Sequence, residues 1–435
     1  MRLRGQGGSA TIAAVANSIV GLVLAGGRVD ELSVLTAKRP KSAVPIWGMY
    51  RFIDFALSNM MHSGVGAVGV LSQYRPHSLN AHLAGGAPWD YLGRTRELRI
   101  LSPYRGAKDS DWYRGTADAV WQNLAFVREH RADLALIVSG DHIYSMDYRP
   151  MIRRHLENRA DLTIAFTRVP LEQASRFGTA ALDESGRLTS YREKAATPDS
   201  DLASMTVYAF NVDVLARRLA ENMKTGRTFQ IYDEIIPRMV AEGDRVFGHV
   251  FEGSWRYART IDAYYEANLS ILGPDAPDLE AWEVRTNVGT ARTSDRPPAS
   301  FQPGARVAGS LVAPGSRIAG TVARSVISPG VVVERGAVVR DSVVMHDSRI
   351  AAGAVLDRVI LDKEVTVGAD AHLGVGELRP NRKAANTLTC GAVVVGKGAR
   401  VPAGARVGRN CIVPPDLAEG DWPSRPIRSG TTVKP

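Results

Sequence analysis

Two glycines and a run of cations carry the first chemical signal. Gly26 and Gly27 close a short apolar run, and Arg28, Lys38, Arg39 and Lys41 follow. Backbone N–H groups of a glycine loop can cradle a polyphosphate, and cations beside it neutralise the charge. Asp141 follows the apolar run "LALIVSG", so the end of a strand would hold its carboxylate where a Mg²⁺ ligand belongs. Arg192, Glu193 and Lys194 follow a strand-like "GRLTSY" and add further charge. Such a set suits transfer to a phosphate, which needs little covalent chemistry and much charge neutralisation. Neither GxxxxGK[ST] nor GxGxxG is present. Each cation taken alone also reads as a solvated surface charge, and for Lys194 or Arg28 alone that is the favoured reading. Glu31, in the middle of the cradle, is the residue that such a loop does not call for.

These residues need strands to present them. From about 19 to 272, short apolar runs alternate with amphipathic segments. Strands are expected at Ile19–Ala25, Ala67–Gln73, 132–141 and 161–169, and a helix at Arg51–Gly64. Continuous apolar strands between helices predict an α/β domain with a mostly parallel sheet covered on both faces. Ligands on such sheets bind beyond the carboxyl ends of the strands, where the glycine loop and "SGDHIY" fall.

Residues 273–300, with "GPDAPD" and "TSDRPPAS", read as a linker. Beyond Phe301 a six-residue period sets in: Val326, Val332, Val338, Val344, Ile350 and Leu356 in one register, Val395, Val401, Val407 and Val413 in another. Gly330, Gly336, Gly398 and Gly404 recur at turns. This is the signature of a left-handed parallel β-helix over 301–414, against the alternative of a β-sandwich with accidental spacing. "GELRPNRKAANT" at 376–387 interrupts the coil as an exposed loop, and 415–435 form a tail.

The chain has 435 residues, 45% of them apolar and 23% charged, enough for at least two domains with sizeable cores. Its formal charge of +9 suits anionic ligands, and no long Lys/Arg block points to nucleic acid. The 2 cysteines, Cys390 and Cys411, lack any CxxC spacing, which argues for a reducing cytoplasm. Residues 1–18 read as an N-terminal arm before the first strand, with a signal peptide as the competing reading. No apolar run is long enough to span a membrane.

"LAGGR", "YRFIDFALSN", "LSQYRPHSL", "WYRGTADAVWQN", "GDHIYSMDY", "REK", "LASMTVYAF" and "AYYEANLSIL" occur in order over 19–272. On these stretches the chain resembles the ADP-glucose pyrophosphorylases, or glucose-1-phosphate adenylyltransferases. The resemblance implies a Rossmann-like nucleotidyltransferase domain followed by a β-helix. It implies that glucose 1-phosphate attacks the α-phosphorus of ATP, releasing pyrophosphate and making ADP-glucose for glycogen or starch. The nucleophile is already anionic, so position and charge set the rate. By the same resemblance Asp141 binds Mg²⁺ and Lys41 and Arg28 serve the phosphates. Gly26, Gly27, Gln73, Gly115 and Thr116 surround the nucleotide. Tyr113, Gly178, Glu193, Lys194 and Ser204 form the sugar-phosphate pocket. Lys38, Arg39 and Arg51 match positions that hold anionic effectors in some members, and a homo- or heterotetramer is expected.

The chain also departs from the family pattern. Val29 stands for a glycine, Glu31 for an arginine facing the triphosphate, and Tyr257 for a second metal-binding aspartate. Ser42, Ala195, Thr206, Gln230 and Tyr232 also differ. Two like charges ~4 Å apart repel by ~4 kcal/mol at an effective dielectric of ~20. A neutral phenol is a poor Mg²⁺ ligand. The expected metal site is therefore incomplete and the chain's own catalysis weakened. One reading is an active enzyme in which Arg256 or Arg259 supplies the missing cation. Another is a regulatory subunit that tunes an active paralogous partner. Lesser alternatives are another sugar-1-phosphate nucleotidyltransferase, such as one using GTP and mannose 1-phosphate, and a β-helix acyltransferase using His346 or His372 as base.

Overall fold

The computed structural model describes residues 19–104, 112–225, 227–289 and 296–434. The expected arm over 1–18 lies outside the described residues. The chain divides into two units that are not contiguous in sequence. The first takes the chain up to Gly27, then Ile53–Tyr74 and Leu83–Trp255; the second takes Arg28–Phe52, Arg75–His82 and everything from Arg256.

The first unit is built on a nine-stranded sheet. Its strands are β1 (Ile19–Leu24), β2 (Ala67–Leu71), β3 (Glu97–Leu101), β4 (Leu134–Ser139), β5 (Leu162–Arg168), β6 (Gly178–Leu182), β7 (Leu188–Glu193), β8 (Leu202–Asn211) and β9 (Val246–Val250). They run in the order β7-β6-β8-β4-β1-β2-β3, with β5 pairing β8 and β9 pairing β5. The stretch β4-β1-β2-β3 is parallel, as continuous apolar runs predict, and β8 lies antiparallel to β4, β5 and β6. Val20, Leu22, Ile137, Ile164 and Phe210 are fully buried in its core. Helix α1 (Phe52–His62) and helix α2 (Thr116–Gln122) follow the first two groups of expected motifs, α1 within the predicted Arg51–Gly64.

The second unit contains three parallel six-stranded sheets, the three faces of a β-helix. Val333 pairs with Ile350 and Val339 with Leu356 one coil on, so these coils close in 17 residues rather than three full hexads, while Ile318 pairs with Val333 after 15. The inward series is therefore Ile327, Val333, Val339, Val344, Ile350 and Leu356. The strict six-residue register expected from the sequence holds for its last three members, whereas Val326, Val332 and Val338 sit one position off the core series. The second register, Val395 to Val413, points inward throughout. Gly330, Gly336, Gly398 and Gly404 all take left-handed turns. The loop 376–387 is largely exposed and is anchored by buried Asn381, whose Nδ2 donates to Asn410 O at 2.9 Å.

The segment 28–52 packs into this second unit. Trp47 donates its indole N–H to Ala267 O (2.6 Å) at helix α3 (Ile261–Leu269), and its backbone N–H to Asn268 Oδ1 (3.1 Å). A Cβ on Gly48 would meet Leu311 at 3.0 Å and Val326 at 3.7 Å. Val326 is fully buried, although it lies outside the β-helix core.

Candidate functional site

In the first unit, Leu24 lies in register with Ser139 on one side and Leu71 on the other. Three parallel strands therefore end level, and Gly26, Gln73 and Asp141 each come two residues after. Gly140 N–H donates to Leu24 O (3.0 Å) and Tyr74 N–H to Gly26 O (3.2 Å), which stitches the three ends together. A Cβ on Gly26 would sit 3.1 Å from Gln73 N, so the Gln73 backbone would have to give for a larger residue; a Cβ on Gly27 would meet nothing within 4 Å.

Ser139 Oγ donates to Asp141 Oδ1 (2.5 Å), and His142 Nε2 lies 3.3 Å from the same oxygen. The His142 Nδ1–H donates to Met205 O (3.0 Å), and the ring stands edge-on to Trp255 with centroids 5.1 Å apart. Asp141 is thus a held carboxylate at a strand end. Mg²⁺ takes oxygen ligands and often only one or two carboxylates, the rest coming from water and phosphates, so Asp141 fits as one of them. Among the described residues no three His, Cys, Asp or Glu side chains gather into a metal cluster.

Gln73 Nε2 donates to Tyr113 O at 3.4 Å. The Tyr113 hydroxyl donates to Leu101 O (3.2 Å) and accepts from Asn123 Nδ2 (2.9 Å), and burial pushes its pKa up to about 12. Tyr113 is thus tied to Gln73, to the end of β3 and to Asn123. Helix α2 starts after Gly115. Gln230 Oε1 accepts from the Thr116 N–H (3.0 Å) and hydroxyl (3.1 Å), and Ala117 N–H donates to Phe229 O (2.8 Å). A Cβ on Gly115 would come within 2.2 Å of Phe229 O, so its glycine answers a backbone contact. The guanidinium of Arg114 lies 3.6 Å from the Phe229 ring centroid and pairs with Asp118 (3.0 Å). Sequence reasoning missed the Gln230–Thr116 bond; its partners are 114 residues apart, and no local signal marks it.

Gly178 pairs with Glu193 across β6 and β7. A Cβ on Gly178 would lie 2.1 Å from the Tyr191 hydroxyl and 2.6 Å from Glu193 Oε2. Glu193 accepts from Tyr191 (3.3 Å) and Lys194 (3.2 Å). Burial raises its pKa, and Lys194 opposes the rise. Lys194 takes a left-handed φ of 46°, and its ammonium lies 5.5 Å from the Tyr232 ring. Ser204 is buried on β8 opposite Phe166, and Thr206 takes a φ of 53° where β8 shifts register. Gly178, Glu193 and Lys194 thus lie side by side.

The residues after Gly27 that were expected to serve phosphates fall in the second unit. Arg28 is exposed and paired with Asp30 at 2.5 Å. Val29 has φ −123° and ψ 100°, ordinary extended backbone that needs no glycine. Its carbonyl accepts from Thr36 Oγ1 (2.7 Å), which ties down the following 3-10 segment Asp30–Thr36. Lys41 is only 1% exposed; its ammonium lies 4.3 Å from the Tyr257 ring centroid and 5.2 Å from that of Phe52. The Tyr257 hydroxyl accepts from Arg259 Nη1 (3.2 Å), and Arg259 Nε donates to Glu31 Oε1 (2.8 Å). A chain of contacts therefore runs Lys41, Tyr257, Arg259, Glu31.

The three basic residues assigned to effectors have protein partners. Lys38 pairs with Asp416, Arg39 with Asp362, and Arg51 Nη1 donates to Ser78 O (2.8 Å). Burial, then Arg51 and Arg39, hold the Lys363 ammonium well below the ordinary lysine range. His346 is also buried, and burial together with Lys363 and Arg51 pushes its pKa well down. That surrounding cation cluster is no setting for an acyl-transfer base that must accept a proton. His372 stands on a β-helix strand in register with Val355 and Arg406.

A nucleotidyl transferase family model matches residues 20–273, and a GlmU-like C-terminal hexapeptide model matches 297–395. A glucose-1-phosphate adenylyltransferase of Thermomicrobium roseum is 45% identical over 434 residues, covering 95% of this chain and 97% of its own. Proteins of the same name from Acetivibrio thermocellus and Thermotoga maritima are 39% and 40% identical, each covering 95% of this chain and 97% and 98% of their own. The chain belongs to the glucose-1-phosphate adenylyltransferase family. Membership of the adenylyltransferases accounts for the two architectures: the first model spans the strands that present Gly26, Gln73 and Asp141, and the second spans most of the β-helix. No helix among the described residues is long and apolar enough to cross a membrane.

Proposed function

We propose that this chain is an adenylyltransferase-family subunit that binds ATP and glucose 1-phosphate and, by itself, converts them to ADP-glucose and pyrophosphate only weakly. One observation carries the reading. The family pattern expects an arginine at 31 and a carboxylate at 257, and here the Tyr257 ring covers Lys41 while Arg259 is engaged by Glu31. The cation of Lys41 is spent on aromatic faces, and Glu31 places a negative charge in the loop. Mg²⁺, when bound, would neutralise phosphate oxygens. Asp141 would hold it, and the Tyr257 phenol adds no anionic ligand. Gly26 and the Gln73 turn would receive the nucleotide, Gln230 would fix Thr116 beside it, and Glu193 and Lys194 would position the sugar phosphate.

The same reading places the chain in the cytoplasm, in glycogen synthesis, within a homotetramer or a heterotetramer with a paralogous subunit. An anionic effector would compete with Asp416 for the exposed Lys38, with Arg51 alongside, while Arg39 stays buried on Asp362. The deciding experiment measures pyrophosphate release by the purified chain with ATP, glucose 1-phosphate and Mg²⁺, alone and mixed with an active paralogue. The expected result is slow turnover alone and an altered effector response in the mixture. Turnover by the chain alone at ordinary enzyme rates, on the order of 10 per second, would overturn the proposal. The rival reading of a fully active enzyme rests on Arg259 as a replacement cation, and that same measurement separates the two.

A further inference from the structure

Arg259 offers three donor nitrogens, and its protein contacts use two. Nε is on Glu31 (2.8 Å) and Nη1 on Tyr257 (3.2 Å), while Nη2 has no hydrogen bond among the described residues. The Arg259 and Glu31 side chains are 39% and 37% exposed, so solvent reaches both. Lys41, in contrast, is closed behind the Tyr257 ring. Of the two cations in this chain of contacts, Arg259 is therefore the one that a solute can meet. A guanidinium fork matches phosphate oxygens with two parallel N–H bonds, and an exposed ion pair with a carboxylate is weakly held. Glu31 also lies in the short 3-10 segment that begins three residues after Gly27.

We propose that Arg259 is an anion-binding residue for a polyphosphate group, and that Glu31 is its built-in competitor. In the resting loop the guanidinium sits on the Glu31 carboxylate; an incoming polyphosphate takes Nη2 first and then displaces Glu31 from Nε. Glu31 thereby sets the affinity of the loop without touching the ligand. The inference rests on the reading of residues 26–41 as a phosphate loop, but it concerns binding and stands whether turnover is fast or slow.

The test is calorimetric titration of the full chain with inorganic tripolyphosphate, in the absence of glucose 1-phosphate, for the parent, Glu31→Gln, Arg259→Gln and the double variant. Glu31→Gln should tighten binding roughly threefold to tenfold, by freeing the fork. Arg259→Gln should weaken it about tenfold. The double variant should bind like Arg259→Gln, because Glu31 acts only through Arg259. Arg259→Lys, which keeps the charge and loses the fork, should fall between the parent and Arg259→Gln, and it serves if the glutamine variant does not fold. An unchanged affinity in Glu31→Gln overturns the proposal. So does an equal gain from Glu31→Gln in the Arg259→Gln background, which would mean plain repulsion of the anion.

Discussion

Arg39 and Asp362, 323 residues apart in sequence, form an ion pair whose side chains are only 2% and 1% exposed. Arg39 Nε also donates to Leu35 O at 3.2 Å, and Lys363, Arg51 and His346 crowd the same place with positive or protonatable groups. Asp362 is the anion that balances them.

Removing one member of such a pair leaves an uncompensated buried charge. Asp362→Ala should therefore cost about 3–5 kcal/mol, whereas Arg39→Leu with Asp362→Leu should recover most of the loss. Denaturant midpoints of the two variants and the parent check this. Equal losses in the single and double variants would show that shape, not charge, matters there.

Glycines in the candidate site divide by what a methyl group would meet. Gly115→Ala forces Cβ to within 2.2 Å of the Phe229 carbonyl oxygen, and Gly178→Ala drives it to 2.1 Å from the Tyr191 hydroxyl. Each should lose roughly 1–3 kcal/mol of stability, since overpacking displaces its neighbours. Gly27→Ala meets open space and should stay within about 0.5 kcal/mol of the parent. Thermal melts rank the three, and a Gly27→Ala loss as large as that of Gly115→Ala would contradict the ranking.

On the proposed reading of weak turnover, raising it takes three changes made together. Glu31→Arg alone would set a second guanidinium against Arg259, which now sits on Glu31 at 2.8 Å. Glu31→Arg with Arg259→Gly and Tyr257→Asp removes that conflict and returns a carboxylate. Val29 can remain, because its backbone is extended. ADP-glucose formation should rise by about tenfold or more, given what a phosphate-facing arginine contributes. A folded triple variant with no gain would place the weak point elsewhere.

Acid should weaken the fold from below about pH 6.5, the ordinary histidine value. Burial lowers the pKa of His155, His249 and His346 in the folded chain. In that window the unfolded chain binds more protons, so stability is fully present above the unfolded value and drains away as pH falls toward the folded ones. His155 bonds Thr163 Oγ1 (2.9 Å) and Asn211 Oδ1 (3.3 Å) without needing a charge. Urea midpoints at pH 7.5 and 5.5 should differ, and His155→Gln should shrink the difference. A pH-independent midpoint would refute the burial argument.

What could be read from the sequence was local or periodic. The strand before Gly26, the strand before Asp141, helix α1 and the β-helix all advertise themselves by apolar runs or repeats, and the structure holds them close to where they were expected. The 17-residue coils escaped because a slip of one residue in a coil leaves each short stretch looking hexameric. The site was legible as residue types and not as pairings. Glu31 stood out as a wrong charge, and Arg259 was one of two candidate replacements. That the two meet is set by tertiary folding across 228 residues. The Arg39–Asp362 pair was hidden for the same reason, and so was the part played by Gln230.

The division of the chain has a practical consequence for dissecting it. The proline-rich stretch near residue 300 invites a cut there, yet residues 28–52 belong with what comes after it. Such a cut would strip Leu311 and Val326 from beside Gly48 and take Asp362 from Arg39. A fragment ending near residue 300 would keep residues 28–52 without part of what they pack against, so a failure of that fragment to bind nucleotide would say nothing about the intact chain.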